Sequence, residues 1–220
     1  MISLRRLDEP SVLKENKAKW LARYLEDRAK SPGKRPSSSQ YAHAEVVQTL
    51  EAMSFHKCFY CEQSTKAGNE VDHYIEVAED PGQAFEWTNL YLTCGGGRHG
   101  CNNKIANASL PVANCLDPCN PADRPEDHLT FDDELIRARD SSARGLQTIQ
   151  KYRLDRPGLD YKRIVQIKQL LKAKDQIQAR MIAEGRKTMT DEERDLLRAF
   201  AQPNRPFSLM FAVLLRGLGL

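Results

Sequence analysis

The chain has 220 residues, 40% of them hydrophobic and 29% charged, with a formal net charge of +3. That composition builds a core for a single domain of ordinary size and excludes a disordered chain. No apolar run reaches the ~18 residues of a membrane span, and the opening Met1-Ile-Ser-Leu-Arg-Arg-Leu-Asp-Glu9 lacks the apolar stretch of a secretory signal, so a cytoplasmic protein with no membrane partner is expected.

Ser11 to Lys30 reads as a helix, capped by Ser11, with Leu13, Trp20, Leu21 and Tyr24 giving part of an apolar stripe. Ser31 to Ser39 (SPGKRPSSS) is a linker by composition. Gln40 to Ser54 reads as a second helix, with Tyr41, Val46 or Val47, Leu50 and Met53 on one side. Phe55 to Glu62 is compact and carries cysteines. Strands are predicted over Glu70 to Val77 and Asn89 to Thr93, a loop over Gly95-Gly96-Gly97, and a short helix from Asn103 to Ser109. Four prolines between Pro111 and Pro125 impose irregular structure. Tyr161 to Glu184 is a strong helix, with Ile164, Ile167, Leu171 and Ile177 near helical spacing. Thr190-Asp-Glu-Glu193 fits a capping box that opens a helix running to about Ala201. Phe207 to Leu220 reads as a buried terminal helix. The fold class expected is α+β: mainly helical, around a small metal-stapled core that contains β-strands. Its parts are an N-terminal helical segment (1–50), the metal-bearing core (51–112), and a loop with a C-terminal helical region (113–220).

Charge is unevenly spread. Residues 67 to 97 hold six acids and no Lys or Arg, whereas residues 1 to 40 carry ten Lys/Arg against five acids and residues 141 to 187 twelve against four. An acidic middle between basic flanks suits a metal centre that meets a polyanion. Solvated faces of basic helices would give the same pattern.

Six cysteines without a secretory signal read as thiols or metal ligands. Cys58-Phe-Tyr-Cys61 is a CxxC pair, whose tight turn can present two sulfurs to one tetrahedral ion. Cys94 and Cys101 supply a second pair, and four thiolates would close a structural Zn²⁺ site contributing about 10–16 kcal/mol to folding. Six residues separate Cys94 from Cys101, a wide loop that its glycines permit. His99 lies in that loop and is an alternative ligand to Cys94 or Cys101. Buried free thiols, or a redox-active CxxC without its usual βαβ setting, are the other readings. Cys115 and Cys119 read as thiols in a packed loop.

Between the cysteine pairs stands Val71-Asp72-His73, then Trp87-Thr-Asn89-Leu90, and at the second pair Cys101-Asn102-Asn103-Lys104. Neighbours on a regular strand face opposite sides, so a bend or strand end is needed for Asp72 and His73 to reach one ion and one water. Asp72 offers a carboxylate and Asn102 an amide oxygen to a hard cation such as Mg²⁺ or Mn²⁺. Neutral His73 can take a proton from water near pH 7. Asn89 can hydrogen-bond backbone and fix the loop that aims His73. Asn102 could equally cap a following helix. Lys104 and Arg98 are candidate phosphate contacts, Trp87 a core residue, and His56 and His128 ordinary polar residues.

This order of motifs resembles the HNH (ββα-metal) endonuclease family, with His73, Asn89 and Asn102 at its three signature positions. The resemblance implies His73 as general base, Asn89 as the residue that positions it, and Asp72 with Asn102 as holders of a catalytic metal beside a structural zinc. The outer segments (Met1-Ile-Ser-Leu-Arg5, Leu116-Asp117-Pro118, Pro125-Glu-Asp-His-Leu129, Leu154-Asp155) are similar to the PtuB nuclease subfamily of Septu anti-phage systems and of Septu-bearing retrons. That likeness implies a nucleic-acid substrate, DNA or tRNA, a PtuA-like ATPase partner, and in a retron setting a reverse transcriptase with its msDNA. Two competing readings are a non-catalytic zinc module that binds nucleic acid or protein, which needs neither Asp72 nor His73, and a free-standing restriction-type DNase.

Overall fold

A computed structural model of the protein describes residues 1–66, 68–95 and 100–220. In chain order its elements are α1 (Ser11–Lys30), α2 (Ser38–Tyr41), α3 (Ala44–Ser54), β1 (Asn69–His73), β2 (Leu90–Cys94), α4 (Pro125–His128), β3 (Leu129–Asp132), β4 (Leu135–Ala138), α5 (Ala143–Tyr152), α6 (Pro157–Ala183), α7 (Asp191–Arg198) and α8 (Ser208–Gly217). The architecture is α+β. Helices surround two separate two-stranded antiparallel sheets, β1–β2 and β3–β4. In the first, Asp72 faces Tyr91 and His73 faces Leu90 across the ladder, and Asn69 pairs with Cys94. Every residue of β2 is buried, which its sequence Leu-Tyr-Leu-Thr-Cys anticipates for a strand covered on both faces.

One hydrophobic core takes Leu13 from α1, Leu50 from α3, Leu92 from β2, Leu129 from β3, Ile177 from α6 and Phe211 from α8. The N-terminal, central and C-terminal segments therefore share a single interior. A buried ionic knot ties Met1 and the start of α8 to the cysteine knuckle. Glu62 accepts from the Met1 amine at 2.7 Å, from Lys57 Nζ at 3.3 Å and from the Ser208 hydroxyl at 2.5 Å.

Several elements follow the sequence pattern. The first helix has the predicted bounds, although Pro10 rather than Ser11 stands at its N-cap. The capping box at Thr190 forms both of its bonds, Thr190 N to Glu193 Oε2 at 3.0 Å and Glu193 N to Thr190 Oγ1 at 3.2 Å. The terminal helix buries Leu209, Met210, Phe211 and Leu215.

Other elements depart from it, for identifiable reasons. The helix expected over Gln40 to Ser54 is broken at Ala42 and His43, where the His43 ring accepts from Glu45 N and caps α3. The strand expected to reach Val77 stops at His73, because Asn89 takes the backbone groups of Ile75. No helix spans Asn103 to Ser109: Ile105 N donates to Lys151 O, and Asn107 Oδ1 accepts from Val112 N and Lys151 Nζ. The strong helix begins earlier than Tyr161, with Pro157 in its first turn. The β3–β4 hairpin and α5 were not anticipated.

Candidate active site

The four cysteines Cys58, Cys61, Cys94 and Cys101 are buried, and their sulfurs all lie within 4.8 Å of one another. Cys61 Sγ and Cys94 Sγ are 3.8 Å apart. A tetrahedral ion with metal–sulfur bonds of about 2.3 Å puts its sulfurs roughly 3.8 Å apart, so the set has the size and chemistry of a closed metal site such as zinc occupies. Gly100 lets the backbone pass close to its neighbours just before Cys101. A Cβ there would strike the Asn102 side chain and lie 2.6 Å from the Cys94 carbonyl oxygen. Arg156, at the N-cap of α6, donates to Cys101 Sγ at 3.5 Å and Cys94 Sγ at 3.9 Å. Four thiolates around a divalent ion leave an excess of two negative charges, which this guanidinium partly offsets. Cys115 and Cys119 stand apart from the set: Cys115 Sγ meets Pro111 O at 3.7 Å, and Cys119 is half-buried. His99 and Arg98 lie outside the described residues.

Beside this staple opens a cavity of about 480 Å³, lined among others by Arg35, Tyr41, Glu70, Asp72, His73, Glu76, Asn102 and Lys104. His73 is the last residue of β1, and the strand end lets it line the same space as Asp72. Its Nε2 lies 2.9 Å from Ala84 O. A carbonyl only accepts, so Nε2 carries the hydrogen and Nδ1 is left with the lone pair that can take a proton. Burial drives the imidazole down to about 4, with Lys104 and Arg35 adding to the effect against the pull of the Ala84 bond, so the ring is neutral at pH 7. The Tyr41 ring packs against it at 4.6 Å between centroids.

Asn89 is buried and uses its whole amide. Oδ1 accepts from Ile75 N at 2.6 Å, and Nδ2 donates to Ile75 O and Gln83 O, each at 3.0 Å. Gln83 adjoins Ala84, the residue that holds His73, so one side chain ties both ends of the 75–83 loop to the start of β2. Trp87 is buried, with its indole N–H on Leu7 O at 2.9 Å. His56 makes an exposed ion-pair contact with Glu51, and His128 a bond to Ser142 Oγ.

Asp72 Oδ2 accepts from Tyr60 OH at 3.1 Å and Lys104 Nζ at 2.7 Å. Burial pushes its carboxyl above the usual range, with Lys104 and Tyr60 pulling the other way. Lys104 Nζ also donates to His73 O and, at 3.3 Å, to Tyr74 O, and its side chain is only 3% exposed. It is therefore an internal counter-charge, placed where the phosphate contact expected of it cannot be made without breaking three bonds. Asn102 does not follow Asp72 into a shared bond. Its Nδ2 donates to Glu70 Oε2 and its Oδ1 accepts from Asn103 Nδ2 at 3.1 Å. With no helix following, it caps none.

Sequence reasoning missed Tyr60, Glu70 and Arg35 as parts of this constellation, and named Lys104 only as a phosphate contact. Tyr60 lies inside the CxxC turn and Glu70 two residues before Asp72 on one strand face, so both were discoverable from spacing. Arg35 sits in a linker with no distinguishing pattern. No family model and no curated protein matches the chain.

Proposed function

We propose that the protein is a metal-dependent HNH-type endonuclease that hydrolyses phosphodiester bonds, stapled by a structural zinc on Cys58, Cys61, Cys94 and Cys101. The observation that carries this reading is the neutral imidazole of His73, held through Nε2 by Ala84 O, in a cavity it shares with Asp72 and Asn102. A structural histidine needs no such cavity, and a zinc scaffold needs no such histidine.

Glu70, Asp72 and Asn102 bring oxygen donors to that cavity, the donor class a hard cation requires, so the residues fit Mg²⁺ or Mn²⁺. Asp72 and Asn102 would hold the ion, which when bound supplies Lewis-acid stabilisation of the leaving 3′ oxygen. His73 Nδ1 takes the proton of the attacking water. The water oxygen forms the new bond to phosphorus, the bond to the 3′ oxygen breaks, and that oxygen takes a proton from solvent. A 5′-phosphate and a 3′-hydroxyl result. General-base action contributes about 10²–10⁴-fold. Asn89 holds the loop that carries the His73 acceptor.

By its resemblance to the PtuB subfamily, the chain acts in the cytoplasm as the toxic effector of an anti-phage complex. Its partners there are a PtuA-like ATPase and, in a retron, a reverse transcriptase with msDNA. The substrate is DNA or tRNA. A second reading, a non-catalytic zinc module, is favoured by one observation: Asp72 Oδ2 is already engaged by Lys104 and Tyr60.

Incubation with plasmid DNA and with tRNA in Mg²⁺ or Mn²⁺ separates the two. The nuclease reading expects cleavage by the wild type and none by His73→Ala, with the zinc content of that variant unchanged. Cys58→Ser is expected to lose zinc and fold poorly. Equal cutting by His73→Ala, or equal zinc loss in both variants, defeats the assignment of roles.

A further inference from the structure

Three carboxylic side chains line the cavity: Glu70, Asp72 and Glu76. Lys104 answers Asp72 and Lys151 Nζ stands 3.7 Å from Glu76 Oε1, so a nucleic-acid strand approaching His73 meets Glu70 as a carboxylate with no ion pair among the described residues, and its phosphates are repelled unless a cation answers them. Among the described residues two Lys or Arg side chains line the cavity, Lys104 and Arg35. Lys104 is buried and spent on Asp72 and the carbonyls of His73 and Tyr74. Arg35 is exposed and makes no hydrogen bond or ion pair among the described residues. It lines the same cavity as His73 and Tyr41.

The backbone that delivers Arg35 is anchored on its far side. Pro36 is buried with its φ fixed by the ring. Ser37 O then accepts from Gln40 N at 3.0 Å and Tyr41 N at 3.3 Å, opening α2, and the Tyr41 ring rests on the ring of His73. The guanidinium is thus free at its head and tethered one residue from a segment that is packed on the proposed base. Guanidinium groups bind phosphate oxygens through two parallel N–H bonds, a geometry an ammonium does not offer.

We propose that Arg35 is a phosphate-binding residue of this cavity, clasping a backbone phosphodiester of the nucleic-acid strand presented to His73. The assignment rests on the nuclease reading and adds a residue that binds the substrate to those that cut it.

The test uses the full chain and a fluorescein-labelled oligonucleotide, offered as duplex DNA, single-stranded DNA and an RNA hairpin. Binding is read by anisotropy in the non-cutting His73→Ala background, and turnover is read separately with Mg²⁺ in the wild-type background. Arg35→Ala is expected to raise Kd and KM about tenfold, the effect of one lost charge-assisted bond pair, with kcat within about twofold. It should also flatten the dependence of log K on log salt by about 0.7–0.9, one phosphate's worth. Arg35→Lys should restore the salt slope but only part of the affinity. The melting profile of Arg35→Ala should match that of its parent, since the side chain is exposed and unbonded. A wild type that cuts while Arg35→Ala keeps its Kd, KM and salt slope overturns the role of Arg35 alone. A wild type that neither binds nor cuts any of the three probes overturns the nuclease reading and this assignment together.

Discussion

At the scale of single residues, the site is governed by which polar atoms are already spent. His73 has one ring nitrogen committed to a carbonyl and one left over, which turns a common side chain into a base with a defined tautomer. Lys104 is the opposite case. Its sequence position beside Cys101 and Asn102 suggested an exposed cation for phosphate, yet its ammonium is enclosed by Asp72 and two backbone carbonyls. The two placements predict different phenotypes. Removing a surface phosphate contact would leave stability within about 0.5 kcal/mol of wild type. Removing the partner of a buried carboxylate costs about 3–5 kcal/mol, because Asp72 remains desolvated without its counter-charge. Urea denaturation of Lys104→Met should therefore show a loss of that larger size. A midpoint unchanged from wild type would mean that Lys104 spends its time in solvent.

At the scale of elements, what the sequence makes legible is whatever local chemistry decides. The α1 pattern, the Thr190 capping box and the apolar C-terminal helix depend on neighbours three or four residues away, and each forms close to where the pattern puts it. The cysteine set is legible because ligand chemistry leaves few alternatives for two close pairs. The end of β1 is not, since it depends on Asn89, reaching back 14 residues to Ile75. Nor is the irregular 103–109 segment, whose backbone and amide groups are claimed by Lys151 from α5. Arg163 in α6, buried to 1% exposure, likewise looks like a surface cation until Leu154 O and Glu134 O are seen to accept from it. Asn89 is where element and site meet. Asn89→Ala would leave the half-buried Ile75 N–H, Ile75 O and Gln83 O without their partner, at up to about 1–3 kcal/mol for each group not rescued by water. A stability loss of at least about 2 kcal/mol is expected, and hydrogen exchange should rise selectively over residues 74 to 89. Uniform loss of protection across the chain would instead make Asn89 a general core residue with no special hold on the loop.

At the scale of the whole molecule, one interior spans all three sequence segments, and buried charge is used to lock it. Glu62 directly follows the last cysteine of the CxxC turn, and its carboxylate gathers the Met1 amine, Lys57 and the start of α8. Burial alone would raise its carboxyl, but the Met1 ammonium and Lys57 overcome that and hold it at about 2, below the ordinary 4.5. The sign of the linkage follows. Between these two values the unfolded chain binds a proton that the folded chain refuses, so stability rises with pH across that window. The knot's contribution is complete above about pH 4.5 and drains away as pH falls toward 2, amounting to on the order of 3 kcal/mol. A metal held by the four cysteines would be released by thiolate protonation in acid, and would add a slope of its own. Glu62→Gln separates the two, because it removes the knot's titration and leaves the cysteines untouched. Urea midpoints of wild type and Glu62→Gln, measured from pH 7 to pH 3, should differ most at neutral pH, where wild type is more stable. They should converge as the wild-type carboxylate is protonated. A gap of constant size at every pH would show that Glu62 acts through packing rather than charge.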